Sequence, residues 1–478
     1  MNNKKTNNKK TNNKKTNSKQ QSNKKTSSAI IVVLITLMIA ITSGNSQAAA
    51  ANAELEKVLK HKVETEKLSV GIAVAIIENG QVSFINVGVA NKETAQAIDQ
   101  NTLFEIGSVS KVMTSTALAT FVDEGKLKLS DPVQNYLPKS VRLPMKNDKT
   151  ITFESLANHR SGLPRLPSNM PFGDPLNPYA DYTTEMMYEF LNQYTLPREV
   201  GESPEYSNLA VGLLGHTLAK IDDMNYEQML MQRVLKPLKM NDTFVDVPKS
   251  VQTRRSKGHN GSLETTDYWQ LPAMAGAGAV VSDPSDMALF LKANMQQNEL
   301  ASAINLTHQP TADFGNSHTK VGLGWIIQST AEGDVYMHNG QTGGFASFIG
   351  FNPTLHKGIV ILSNTSILMD EVGYSYLTNS LTSLKLTTPV KVAEVELAKL
   401  IGRYELVPGF ILSITHDEDK LFVQGTGQPR LPLTANSINE FVNNAVKARI
   451  EFALDADGIA TSLILYQGGQ TLPGKKLK

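Results

Sequence analysis

Cysteine is missing from all 478 residues. That removes disulfides, thiolate metal sites and cysteine nucleophiles from the chemistry open to the chain. No His-Glu-x-x-His run occurs, so a zinc-peptidase helix has no support, and the nine histidines stand singly. The absence of a Gly-x-Ser-x-Gly elbow argues against an α/β-hydrolase, and there is no phosphate-binding loop. Nor does the apolar run Ala29 to Ile41 reach membrane-spanning length, with 13 residues where a spanning helix needs about 20.

Acidic charge is missing from one end only. Residues 1–28 carry nine lysines and no acid, and residues 29–53 carry no charge. Beyond them 37 basic residues face 45 acidic ones, a net charge of −8 concealed by the overall +1. A body with that balance argues against a nucleic-acid surface. At 41% hydrophobic and 19% charged the chain can build a large core, and its length suits two to four domains or one large domain with an appendage.

The N-terminus repeats Asn-Asn-Lys-Lys-Thr at residues 2–6, 7–11 and 12–16, a low-complexity leader expected to be disordered (1–28). The apolar run and the small-residue tract Ala48 to Ala53 follow it. A basic segment, a short apolar segment and Ala-x-Ala cleavage candidates describe a secretory signal over 29–53. The expectation is an exported protein, periplasmic or extracellular, with membrane attachment through this segment if it is not cleaved.

Residues 54–67 carry Leu55, Val58, Leu59 and Val63 at helical spacing. Val70 to Ile77 and Gln81 to Val89 read as strands around an Asn79-Gly80 hairpin turn. Val112 to Phe121 favours a helix, ended by Asp123-Glu124-Gly125. Residues 150–300 read as mostly helical. Strand-like runs return at 324–327, 335–338, 345–351 and 358–362, and 370–386 looks helical again. Strands from both ends would share one antiparallel sheet flanked by helices, with an inserted all-helical lobe and a cleft between them: an α+β fold. After the linker-like Thr387-Thr388-Pro389, β-rich runs at 411–414, 421–423, 448–452 and 462–465 predict a small C-terminal all-β barrel-like domain. The expected division is 54–386 for the main domain and 387–478 for the β-domain.

The chemistry centres on Phe104-Glu105-Ile106-Gly107-Ser108-Val109-Ser110-Lys111. Residues i and i+3 share a helix face, so Lys111 can reach Ser108. A desolvated lysine can take the proton of a serine hydroxyl and make it a nucleophile. The same spacing occurs at Ser22 with Lys25 and Ser317 with Lys320, so spacing alone identifies nothing. Two further pieces lie downstream. Tyr206-Ser207-Asn208 is the one place where a tyrosine has asparagine two residues on; a phenol near a lysine can act as general acid or base. His338-Asn339-Gly340-Gln341-Thr342-Gly343-Gly344 sits between two strand runs, where glycines permit close backbone approach and a strand N–H can join that of Ser108 in an oxyanion hole.

The order Ser-x-x-Lys, Tyr-x-Asn, basic-x-Gly resembles the serine β-lactamase and penicillin-binding protein superfamily, its class C β-lactamase branch most of all, over residues 55–385. Leu129-Ser130-Asp131-Pro132 and Leu235-Lys236-Pro237-Leu238 also look like landmarks of that family. The resemblance implies a transpeptidase-like fold, an acyl-enzyme, no cofactor and no metal. It implies a small-molecule or short-peptide substrate: a β-lactam, a D-amino-acid peptide or an ester. Carried over residue by residue, it makes Ser108, Lys111 and Tyr206 catalytic, with Tyr206 bridging to Lys111. It assigns substrate contacts to Asn208, His338, Gly340, Gln341 and Thr342, and the oxyanion hole to the backbone N–H groups of Ser108 and Gln341. One departure stands out: His338 replaces the lysine of Lys-Thr-Gly, as in relatives that act as esterases or D-aminopeptidases. The readings are therefore a class C-like β-lactamase, a D-amino-acid peptidase or esterase, and a non-catalytic penicillin-binding receptor.

Overall fold

The computed structural model describes residues 49–171, 173–444 and 446–477. The lysine-rich leader and the apolar run lie outside the described residues. Residues 49–60 are helical and pass into a π turn at His61–Thr65. Among the described residues no helix is long and apolar enough to cross a membrane.

The hairpin expected around Asn79-Gly80 forms, with both residues at positive φ, as a twist-compatible two-residue turn requires. Its first strand, Gly71–Glu78, lies in a nine-stranded antiparallel sheet. From one edge the strands run Gln96–Ala97, Gln81–Asn91, Gly71–Glu78, Lys357–Ser363, Ala346–Asn352, Gly333–Gln341, Ile326–Thr330, Asn316–Val321 and Ala312–Phe314. Ala75 pairs with Val360 on one side and Phe84 on the other, so chain ends nearly 300 positions apart meet in one register. Gly71–Glu78 and Ala346–Asn352 are buried almost throughout, because helices cover both faces of the sheet. Gly358 packs on Leu291 and Met295 of the Pro284–Met295 helix, and Gly350 on Leu377 of the Asp370–Leu377 helix.

The Ser110–Asp123 helix is buried on every side from Ser110 to Phe121. Its buried hydroxyls are satisfied within the fold except that of Ser115, which has no partner among the described residues. Thr114 donates to the carbonyls of Ser110 and Gly276, and Thr116 to that of Val112.

Several elements differ from expectation. Residues 150–300 hold short helices such as Phe153–Ala157, Thr184–Gln193 and Asn208–Ile221, joined by long irregular segments. Tyr226 starts a helix that turns π-helical at Met231–Leu235. The closing helix stops at Leu377, and Asn379 takes a positive φ. Gly324 and Trp325 precede their strand rather than open it. Gly324, at φ +77°, lets the chain approach Ser115 and the Lys111 carbonyl.

The C-terminal part is a closed barrel of eight antiparallel strands, from Gly402–Val407 to Gln470–Lys476, sealed by Tyr404 pairing with Lys476. Closure leaves no edge strand. Inward-facing Tyr404, Leu412, Ile414, Phe441, Ile450 and Phe452 make its own core, separate from that of the main domain.

Candidate active site

Every residue of the 104–108 run is held for a local reason. Phe104 and Glu105 pair with Ser282 and Val281. The Ile106 N–H donates to Val280 and its carbonyl accepts from Ser347 Oγ at 2.7 Å. Gly107 has φ +48°, and a Cβ there would sit 2.7 Å from the Gln341 nitrogen. A Cβ on Gly340 would lie 2.1 Å from the Ile106 carbonyl and 2.9 Å from the Ser108 nitrogen. Turn and strand edge therefore touch through two glycines, and the amides of Ser108 and Gln341 lie in the same small space. Ser108 is in a one-turn 3₁₀ segment, Gly107–Val109, just ahead of the α-helix expected to carry it.

Lys111 is fully buried, with Nζ 2.9 Å from Ser108 Oγ and 2.6 Å from the Ala277 carbonyl. Burial first, and then the positive charge of Arg165, hold its pKa well below the ordinary lysine value. The neutral amine can donate to Ala277 and aim its lone pair at Ser108.

Tyr206 is placed by His159. The Glu205 N–H donates to the His159 carbonyl and the Ser207 N–H to its Nδ1, one on each side of the tyrosine. The His159 ring lies 4.4 Å from that of Tyr206, and burial keeps the imidazole neutral. Burial pushes the Tyr206 phenol up to about 12, with Ser108 in hydrogen-bonding reach opposing the rise. Among the described residues Lys111 Nζ hydrogen-bonds to Ser108 and Ala277, and it meets Tyr206 through the ring rather than through a hydrogen bond. It sits over the tyrosine ring, 4.9 Å from its centre.

Asn208 is buried at the start of the next helix. Its amide nitrogen donates to Tyr179 at 3.0 Å, and the other end of the amide has no partner. His338 is buried too. Its Nδ1 lies 2.5 Å from the Asn339 carbonyl, its Nε2 has no partner, and burial takes its pKa down to about 3. Gln341 is exposed and its side chain donates to Ser366, leaving its backbone toward Ser108. Thr342 is buried beside Glu105, whose carboxylate also takes Arg255 and the Trp269 N–H, each at 2.9 Å. The Thr342 hydroxyl itself is buried and has no partner among the described residues.

The structure brings Ser108, Lys111, Tyr206, Asn208, His338, Gly340 and Gln341 into one cluster. It leaves Ser317 and Lys320 exposed on a strand far from any such neighbours, while Ser22 and Lys25 fall outside the described residues. Sequence reasoning missed His159, Arg165, Tyr179 and Ala277. The only local hint was the helix-stopping run His159 to Pro164. A cavity of about 430 Å³ beside Tyr226 and Trp269 contains none of the cluster, so the assignment rests on buried polar chemistry, not on concavity. Among the described residues no group of three or more His, Cys, Asp or Glu side chains is set to hold a metal ion.

The profile of a family described as Beta-lactamase matches residues 55–377. A second, described as a domain of unknown function (DUF3471), matches 387–476. The chain is 29% identical over 332 residues to a beta-lactamase of Pseudomonas fluorescens, covering 62% of this chain and 88% of that one. It is 33% identical over 294 residues to a beta-lactamase of Providencia stuartii, covering 61% and 70%. It is 28% identical over 318 residues to the D-alanyl-D-alanine-carboxypeptidase/endopeptidase AmpH of Escherichia coli K12, covering 62% and 80%. Two solved structures share the fold. A beta-lactamase/D-alanine carboxypeptidase from Pseudomonas syringae superposes with TM-score 0.60 at 24% identity, over 70% of this chain and 99% of that one. A class C beta-lactamase does so with TM-score 0.62 at 23% identity, over 70% and 97%.

Proposed function

This chain belongs to the beta-lactamase family and is a serine hydrolase of that type; we propose that Ser108 opens the β-lactam amide through an acyl-enzyme. The observation that carries this is the 2.9 Å contact between Ser108 and a wholly buried Lys111 whose proton affinity is depressed. Lys111 takes the Ser108 proton as Oγ attacks the carbonyl carbon. The N–H groups of Ser108 and Gln341 hold the oxyanion. As the C–N bond breaks, the Tyr206 phenol gives its proton to the leaving nitrogen and is reprotonated by Lys111, which carries the proton taken from Ser108. Tyr206, neutral because its phenol is pushed up to about 12, donates rather than accepts at this step. Water then cleaves the ester, with the same groups taking and returning its proton.

A second reading, a D-amino-acid peptidase or esterase, is favoured by His338. A neutral imidazole cannot replace the permanent charge of the family's lysine. Both readings use Ser108 in the same way. Incubation with a β-lactam or a fluorophosphonate followed by intact mass should add one label. Label on another residue, or unchanged labelling in Ser108→Ala, overturns the assignment. Turnover of a cephalosporin, a D-Ala-D-Ala peptide and a short ester ranks the readings, and acylation without release favours a receptor. The basic leader and apolar run support export, with cleavage near Ala48–Ala53. The N-terminal sequence of the protein recovered from cells tests it.

A further inference from the structure

We propose that Arg165 holds the carboxylate of the substrate, on the helical-lobe side of the site, in place of the strand residue His338. The inference rests on the acyl-enzyme reading above and adds to it where an anionic group of the substrate sits.

Two observations carry it. The first is the state of the strand side. His338 Nδ1 lies 2.5 Å from the Asn339 carbonyl. A carbonyl only accepts, so the ring proton is on Nδ1 and Nε2 presents a bare lone pair. That atom is buried and has no partner among the described residues. A lone pair repels a carboxylate and welcomes an N–H or O–H, so the group facing His338 is a donor. Lys111 offers no charge either, since burial favours its neutral form.

The second observation is Arg165 itself. Its backbone is fixed, because the Asn208 N–H donates to its carbonyl at 3.0 Å and Ser207 Oγ donates to the preceding Pro164 carbonyl at 2.6 Å. The side chain is exposed, and its guanidinium lies 5.1 Å from the centre of the Tyr206 ring. No carboxylate of the described residues lies within ion-pair distance, and its guanidinium makes no hydrogen bond to a described residue. Nearby arginines are occupied. Arg198 pairs with Glu205 at 2.7 Å, Arg255 with Glu105 at 2.9 Å, and Arg160 donates to the carbonyls of Gly201, Glu202 and Asp313. The positive charge of Arg165 reaches Lys111, His159, Tyr179 and Tyr206. It is the permanent cation that this cluster leaves unpaired. A planar fork of donors over the Tyr206 ring suits a bidentate carboxylate. β-Lactams and D-amino-acid peptides both carry one near the bond that is cut.

The test compares a cephalosporin with its methyl ester on the full chain. Wild type should favour the free acid at least tenfold in kcat/KM, and that ratio should fall to near one in Arg165→Gln. Arg165→Lys, which keeps the charge but not the fork, should fall between them. An unchanged ratio in either variant, or no preference for the acid in wild type, overturns the proposal. Because Arg165 also acts on Lys111, a loss shared equally by acid and ester counts against it as well. If wild type turns over neither compound, the β-lactam reading fails by itself. The proposal is then decided by N-acyl-D-alanine and its amide as competitive inhibitors of a neutral p-nitrophenyl ester. The acid should bind at least tenfold tighter than the amide in wild type and equally in Arg165→Gln. Equal binding in wild type overturns it.

Discussion

A lysine in water keeps its proton to about pH 10.4; Lys111, sealed between Ser108 and Ala277, gives it up far earlier. The sign of the consequence is definite. Between its depressed folded pKa and its ordinary unfolded one, the unfolded chain binds the extra proton, so stability rises with pH across that window. At neutral pH the folded protein bears that cost. Lys111→Met should abolish acylation and raise the melting temperature at pH 7, by about 2–4 °C for each kcal/mol recovered; a lower melting temperature refutes the buried neutral amine. The rate in wild type should fall on the acid side as Lys111 gains its proton. Removing Arg165, whose charge helps depress that pKa, should move the fall to higher pH. At Tyr206 the expected cost of Tyr206→Phe is about 10²–10⁴ in kcat/KM. No loss of rate traceable to the phenol should appear below pH 10, because burial pushes its pKa up to about 12.

At the level of elements, the site is a contact between a 3₁₀ turn and a strand edge, with a glycine on each side. Gly107→Ala places a methyl 2.7 Å from the Gln341 nitrogen at a φ that side chains resist. The strand edge must move, and the rate should drop by about 10²–10³, the cost of one oxyanion donor. Gly125 is the control. It too has a positive φ, +69°, but nothing lies within 4 Å, so Gly125→Ala should cost about 1 kcal/mol of stability and leave the rate intact. Equal effects on rate would remove the argument for the turn-to-strand contact. Elements with local punctuation were legible: the Asn79-Gly80 hairpin, and the Lys357–Ser363 strand to within a residue. Asn316–Val321 was not, since Asn-Ser-His-Thr-Lys-Val is polar and gains strand structure only by pairing with neighbours. In the barrel, Arg430–Ala435 and Gln470–Lys476 each contain a proline and were invisible for the same reason.

At the scale of the whole molecule, the core of the main domain and the core of the barrel share no residue among those described. The chain between them is tied at Thr387, whose N–H donates to Glu66 at 3.1 Å and whose carbonyl meets His61 Nε2 at 2.8 Å. A chain ending at residue 386 should therefore keep one-to-one labelling of Ser108, and residues 387–478 should melt cooperatively alone, their barrel having no open edge. Loss of labelling in the shorter chain would show that the two parts fold as one.

Helical spacing by itself determined that Lys111 can reach Ser108, because three residues along a helix is a contact that neighbours write. Motif order likewise brought Tyr206, Asn208 and the His338 strand into consideration. Only the tertiary structure decided what those groups can do. Ala277 takes up Lys111 across 166 positions, His159 sets Tyr206 across 47, and Arg165 comes over the tyrosine ring with no ion-pair partner among the described residues. Such pairings leave no periodic trace, and the depressed Lys111 pKa follows from burial that the distant segments supply together.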